Sequence, residues 1–335
     1  MSSSEKTLWN NYFSHIYIES DARRYELTDM ILAHFPKSVQ IDIEHYKDVF
    51  NRPHQDYAIQ KQSPALILAV NRNTLIYPGA KVCQDFGNAH FYYTGGMLNC
   101  IYDCDYCYLQ GMYPSADIVV YVNLSDVFDA VSGLLRVHPV YLCISYDTDL
   151  LALDAVTGFH QKWTDYVRAN DNLTIEIRTK SAHMLPKTAD VCQRIIYAWT
   201  LSPEEITKQY EHRTPSLSLR LSAVQNAIRN GYRVRLCFDP MIYVPDYAKI
   251  YGRMFDTVFE AIDGTRITDV GLGLFRIPTE YIRNLRAKKH NPISAYPYDN
   301  VNGVSGYSPA LSEEMLSFAK KKLGQYVPPE LIYTT

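Results

Sequence analysis

A parallel α/β barrel of the partial (β/α)6 type, with N-terminal and C-terminal elaborations, is the fold class that this 335-residue sequence predicts. Three observations lead there. Short apolar runs alternate with helical patterns from about residue 91 onward, the runs are apolar nearly throughout, and polar residues collect just after them. Alternation implies parallel pairing, continuous apolarity implies burial on both faces, and polar strand ends place chemistry at the C-terminal mouth of such a barrel.

Residues 1–85 contain one strong strand signal, ALILAVN, and read as an elaboration packed on the barrel. The barrel is expected over residues 86–276. Its strands are HFYYTGGML (90–98), VYLCISYD (140–147), LTIEIRTK (173–180), RIIYAWTLS (194–202), YRVRLCFDP (232–240) and ITDVGLGLF (267–275). LSDVFDAVSGLLR follows capping chemistry at 123–125 and reads as the first helix. AVTGFHQKWTDYVRAN reads as a second helix, and AHMLPKTADVCQ as a short connection. SLSLRLSAVQNAIRNG and DYAKIYGRMFDTVFEAIDG complete the set, stopped by Gly231 and Gly264. Residues 277–335 are a less regular C-terminal extension.

Hydrophobic residues at 47% and charged residues at 21% exclude disordered and fibrous classes. A formal net charge of −3 argues against a globally basic nucleic-acid coat. Met1 to Lys6 lacks the features of a secretory leader, and no segment approaches the roughly 20 apolar residues that span a bilayer. A cytoplasmic protein with no membrane partner is expected. Of seven cysteines, three are clustered and Cys83, Cys143, Cys192 and Cys237 are dispersed. That pattern suits a reducing compartment with one metal site better than a disulfide framework. The 28 tyrosines, against 12 phenylalanines, are read mainly as amphipathic packing.

The cluster lies in NCIYDCDYCYLQ, residues 99–110, with Cys100, Cys104 and Cys107 as metal ligands. Structural zinc takes four ligands, usually as two separated pairs, and no fourth ligand stands nearby at that spacing. Three thiolates on one short loop suit a [4Fe–4S] cube with one iron left open. A non-catalytic iron–sulfur protein and a zinc-stabilised nucleic-acid binder are the rival classes.

The order Cys100-Ile-Tyr-Asp-Cys104-Asp-Tyr106-Cys107, after the first barrel strand, resembles the radical S-adenosylmethionine superfamily. TGGMLNCIYDCDYCYLQGMY, VVYVNLSDVFDAV, DTDLLALDAVTG, RTK at 178–180, YEHRTPSLSLRLSAVQNAIRNGY and DPMIY together resemble its spore photoproduct lyase family, over roughly residues 60–275. The resemblance implies a [4Fe–4S] cluster and S-adenosyl-L-methionine as cofactors. It also implies a DNA-repair lyase that returns the ultraviolet lesion 5-thyminyl-5,6-dihydrothymine to two thymines through a 5′-deoxyadenosyl radical. UV-damaged duplex DNA and a low-potential electron donor such as ferredoxin or flavodoxin would be its partners. Tyr106 would lie beside the adenine, Lys180 and Thr200 would meet the methionine end with Ser202 near them, and Tyr106 and Tyr108 would serve a radical relay.

Two departures from the family pattern stand out. Tyr146 occupies the place of the hydrogen-donating cysteine, and the nearest thiol is Cys143, which strand alternation would point the other way unless a bulge intervenes. Both are carried as catalytic candidates. Val301-Asn302-Gly303 replaces an Arg-Tyr-Gly turn that wedges at the lesion; Asn-Gly keeps the tight hairpin without the arginine and tyrosine. These departures leave open a divergent enzyme of the same family with a different substrate. The stretch RNLRAKKH (283–290) with Arg276 reads either as a phosphate-neutralising patch or as a solvated helix face. His183 and His212 are left without a role, and Cys83 and Cys192 are read as structural.

Overall fold

The computed structural model describes residues 13–80, 83–288 and 290–335. Met1 to Lys6 and Lys289 of the basic stretch lie outside them. Strands in the first half are β1 (His15–Glu19), β2 (Val39–Ile43), β3 (Leu66–Ala69), β4 (Tyr77–Pro78), β5 (Phe91–Tyr93), β6 (Met97–Leu98), β7 (Asp103–Cys104), β8 (Ile118–Tyr121) and β9 (Val140–Cys143). Those that follow are β10 (Leu173–Thr179), β11 (Ile195–Thr200), β12 (Glu211–His212), β13 (Arg233–Met241), β14 (Asp269–Leu274), β15 (Arg276–Pro278), β16 (Asp299–Val301), β17 (Val304–Gly306) and β18 (Ile332–Thr334).

The six expected barrel strands form β5, β9, β10, β11, β13 and β14, all parallel and adjacent in that order. Antiparallel β4 extends one edge and parallel β18 the other, and the two edges do not meet, so the barrel is open. A second sheet, ordered β2-β1-β3-β8-β6, joins the N-terminal strands to two short strands on either side of the cysteine loop. The run at 90–98 is therefore two strands in two sheets, broken at Thr94 to Gly96.

Strand alternation divides the barrel wall. Leu142, Ile175, Ile177, Trp199, Leu236 and Leu272 join the main core with Phe159, Trp163 and Val167 of helix Phe159–Arg168. The inner face is not apolar, as continuous apolar runs had suggested. Arg235 binds Asp269 through two nitrogens and Glu176 through a third, and the Tyr141 hydroxyl accepts from it at 2.7 Å. The Phe86 ring centre lies 3.2 Å from the guanidinium carbon. A buried charge survives when it is paired and fully hydrogen-bonded, and this network meets both conditions.

Local chemistry refines the helices. Gly158, at φ 61, splits the second helical run into Asp154–Thr157 and Phe159–Arg168. Asn123 does not cap helix Leu124–Leu135. Its Oδ1 accepts from the Asn71 amide at 2.8 Å and its Nδ2 donates to the Asn71 carbonyl at 2.9 Å, which ties the helix to the end of β3. Gly231, at φ 85, follows helix Leu217–Arg229 as expected. Gly264 acts through space instead: helix Tyr247–Ala261 has already ended, and a Cβ there would stand 2.3 Å from the Tyr326 carbonyl oxygen. The tight hairpin is present between β16 and β17, with Asn302 at φ 52 and Gly303 at φ 81.

Candidate active site

The cysteine loop leaves the barrel after β5 and is pinned along its length. Asn99 takes φ 66, which asparagine tolerates, and its Nδ2 donates to the carbonyls of Ser115 (2.8 Å) and Asp117 (2.7 Å), closing the loop's base. Lys61 Nζ donates to the Cys100 carbonyl. Cys104 lies in β7, which pairs with β12, and Gln110 Nε2 donates to the Cys104 carbonyl at 2.7 Å. Cys107 sits at the start of helix Tyr108–Met112. Local hydrogen bonds thus hold the loop before any ligand is considered.

All three thiols are free. Burial pushes Cys100 up to about 12 and also raises Cys104 and Cys107, and Cys107 adds to the rise of both others. Thiolate ligation of a metal must therefore expel protons. Among the described residues, no three His, Cys, Asp or Glu side chains draw together tightly enough for a single ion. Three thiols on one loop, one short of the four ligands that structural zinc takes, suit a [4Fe–4S] cluster with one iron left open.

Residues singled out for the cofactor gather around one buried ion pair. Glu211 and Arg220 are fully buried partners. The Tyr106 hydroxyl donates to Glu211, and Ser202 Oγ donates to the same carboxylate at 2.7 Å. Arg220 Nη1 donates to the Thr200 carbonyl at 3.1 Å, where β11 ends. Lys180 Nζ stands 5.4 Å from the Tyr106 ring centre. Burial opposes charge on Lys180, but Cys104 and Glu211 more than offset it and hold the ammonium protonated. Ser202 thus commits its proton to Glu211. Two buried side-chain atoms just after β9, Thr148 Oγ1 and Asp147 Oδ1, have no hydrogen-bond partner, so that turn offers unspent polar capacity to a ligand.

A second cluster carries the relay candidates. The Tyr108 hydroxyl donates to the Tyr146 carbonyl, and the Tyr146 ring stacks on Tyr93 with centres 4.1 Å apart. Cys83 Sγ lies 3.7 Å from the Tyr146 hydroxyl. Cys143 is buried on the inner face beside Glu176 and Arg178, with Cys83 among its neighbours. Strand alternation does not separate Cys143 from Tyr146, because β9 ends at Cys143 and the chain turns there. Both therefore neighbour Cys83.

Several residues escaped the sequence reading. Cys83 had no local pattern to mark it, since its partner is 63 positions away. Glu211 and Arg220 lie inside YEHRTPSLSLR, which showed the family likeness without showing that the two side chains pair. The basic stretch fits neither reading fully. Lys288 Nζ donates to the Gln110 carbonyl at 2.8 Å, Arg286 Nε to the Ser294 carbonyl at 2.7 Å, and Arg276 binds Asp239 at 2.8 Å, so three of its cations hold the fold. His212 lies 3.3 Å from Asp105 and His183 packs near His160.

A family model described as spore photoproduct lyase matches residues 12–297. The spore photoproduct lyase of Clostridium acetobutylicum is 22% identical over 251 residues, 72% of either chain. That of Bacillus subtilis is 22% identical over 258 residues, 74% of this chain and 73% of its own. Among solved structures, a spore photoproduct lyase double mutant with bound AdoMet and dinucleoside spore photoproduct aligns with TM-score 0.80 at 19% identity, covering 96% of this chain and 98% of the other. A single mutant with dinucleoside spore photoproduct gives TM-score 0.82 at 17% identity, over 96% and 99% of the two chains.

Proposed function

The chain belongs to the spore photoproduct lyase family, and from that premise we propose that it is a radical S-adenosylmethionine lyase that restores two thymines from 5-thyminyl-5,6-dihydrothymine in ultraviolet-damaged DNA. The observation that carries the reading is the convergence of three free thiols with Tyr106 and Lys180 at the C-terminal mouth of a parallel barrel. Cys100, Cys104 and Cys107 would hold a [4Fe–4S] cluster, and Tyr106, Lys180 and Thr200 would border S-adenosyl-L-methionine. When bound, these groups supply a low-potential electron and the power to abstract hydrogen from carbon. Ser202 acts through Glu211, keeping an acceptor in place for the Tyr106 hydroxyl.

The chain's own task is to return a hydrogen atom to the thymine methyl radical once the methylene bridge has broken. We assign Cys83 as the donor: its S–H would break as a C–H bond forms, the sulfur radical would recover a hydrogen atom from the Tyr146 phenol at 3.7 Å, and the hydrogen the phenol loses would be made good by the 5′-deoxyadenosine left from the first abstraction. Burial raises the Cys83 thiol, which keeps it in the S–H form this step needs. Tyr108, whose ring centre lies 5.9 Å from that of Tyr146, and Cys143, beside Cys83, extend the relay. No helix of the described residues is long and apolar enough to cross a membrane. A cytoplasmic site of action and a ferredoxin- or flavodoxin-type electron donor complete the proposal.

Reduced, reconstituted protein given S-adenosyl-L-methionine and dinucleoside spore photoproduct should release thymidine, and in deuterated water the new methyl group should carry solvent deuterium. Cys83→Ala should slow release at least about tenfold and abolish the deuterium transfer. Transfer that persists in this variant assigns the donor to Cys143. Cleavage of the cofactor without thymidine would point to a different substrate, the reading that Tyr146 and the Val301-Asn302-Gly303 turn leave open.

A further inference from the structure

Asp147 follows Tyr146 at the mouth of the barrel and is 8% exposed. Its Oδ1 has no hydrogen-bond partner. Gly95, bridged to Ser145, makes its room: a Cβ at position 95 would stand 2.8 Å from Asp147 Oδ2. Burial is the main influence on the carboxyl and pushes it up to about 7, against a hydrogen bond from the Tyr113 hydroxyl. No basic side chain is among the groups that act on it. Among the described residues, the groups whose titration it shifts are phenols: Tyr77 of β4, Tyr93 of β5 and Tyr121 of β8, then Tyr108 and Tyr113 beside the cysteine loop. Tyr146 on its own segment and Tyr281 of helix Thr279–Lys288 complete the set. A buried carboxyl with an unspent oxygen and no cation is a costly arrangement that ordinary packing does not explain.

We propose that Asp147, with its buried and partnerless Oδ1, is a substrate-binding residue whose carboxyl reads the imide edge of a pyrimidine base. The inference rests on the repair function proposed above and names the group of the lesion that is recognised. An imide edge presents a carbonyl acceptor beside an N3–H donor. A neutral carboxyl answers both, its O–H donating to the carbonyl and its C=O accepting from N3–H, whereas a carboxylate would face the carbonyl with two acceptors. The adjacent Tyr146–Cys83 pair would then lie within one residue of the anchored base.

The test is equilibrium binding of dinucleoside spore photoproduct to the reconstituted protein between pH 6 and 9, with thymidine release measured in parallel. The wild type should bind with constant affinity below its carboxyl's titration and lose up to about tenfold per pH unit above it. Asp147→Asn, which keeps one donor and one acceptor but cannot ionise, should bind at every pH as the wild type does at pH 6. Asp147→Ala should bind about tenfold more weakly at pH 6, with no pH dependence. A lesion analogue methylated at N3 should lose affinity for the wild type and not for Asp147→Ala. Wild-type affinity that is flat across this range, or Asp147→Ala binding equal to wild type, overturns the inference while thymidine release leaves the repair function standing. Pyrimidine binding with this pH profile but no thymidine release would instead remove the repair reading and keep the contact.

Discussion

Alanine at Cys100, Cys104 or Cys107 abolishes both the iron–sulfur absorbance and thymidine release, whereas alanine at Cys192 leaves both intact. The three side chains are free thiols on one pinned loop, and that loop carries no fourth cysteine to replace a lost one. Removing a single sulfur therefore exposes a second iron, and the cluster loses the asymmetry that reserves one open position. The fold itself should survive. The loop is held by Asn99, Lys61, Gln110 and the β7–β12 pairing rather than by the thiols. A small buried thiol changed to alanine costs on the order of 1 kcal/mol. Far-ultraviolet circular dichroism and metal analysis on the same samples separate loss of the site from loss of the protein.

Arg220→Met destabilises the protein by about 3–5 kcal/mol at neutral pH, because Glu211 is left as a buried charge without its cation. Burial alone would raise the Glu211 carboxyl, but Arg220 and then Lys180 more than reverse this and hold it below its usual range. A depressed carboxyl stabilises the folded state above its unfolded pKa, and that contribution is lost as pH falls through the folded value. The deficit of Arg220→Met should accordingly be largest at neutral pH and above, and shrink steadily as the solution is made more acidic. Replacing both partners with apolar residues, Glu211→Leu with Arg220→Met, should cost less than the single change. Denaturant unfolding at several pH values measures all three quantities. The same variant frees Tyr106, Ser202 and the Thr200 carbonyl from their shared anchor, so cofactor binding should weaken with it.

What could be read in advance follows from the range of the interactions involved. Barrel strands such as Ile195–Thr200 are wholly buried and announce themselves as continuous apolar runs. β1 and β2 are five-residue strands with exposed positions, and β18 is three half-buried residues near the chain's end, so each carries too little pattern to stand out. The run 90–98 misled because Thr94 to Gly96, where the chain changes sheets, is a break of only three residues between two apolar stretches. Its break has a tertiary cause, since Gly95 lies against the Asp147 carboxyl. In the site, the cysteine spacing was legible because one loop supplies every ligand. The Glu211–Arg220 pair, the Cys83–Tyr146 contact and the partnerless Asp147 oxygen depend on segments brought together only by folding.

Cluster content against turnover is the most direct measurement of the central claim. Protein purified without oxygen is titrated with iron and sulfide, then reduced and given S-adenosyl-L-methionine and dinucleoside spore photoproduct. Thymidine release should be absent without iron and rise in proportion to assembled [4Fe–4S] cluster, with cofactor cleavage following the same curve. Full thymidine release from iron-free protein, or from protein lacking all three sulfurs of the loop, would contradict the account.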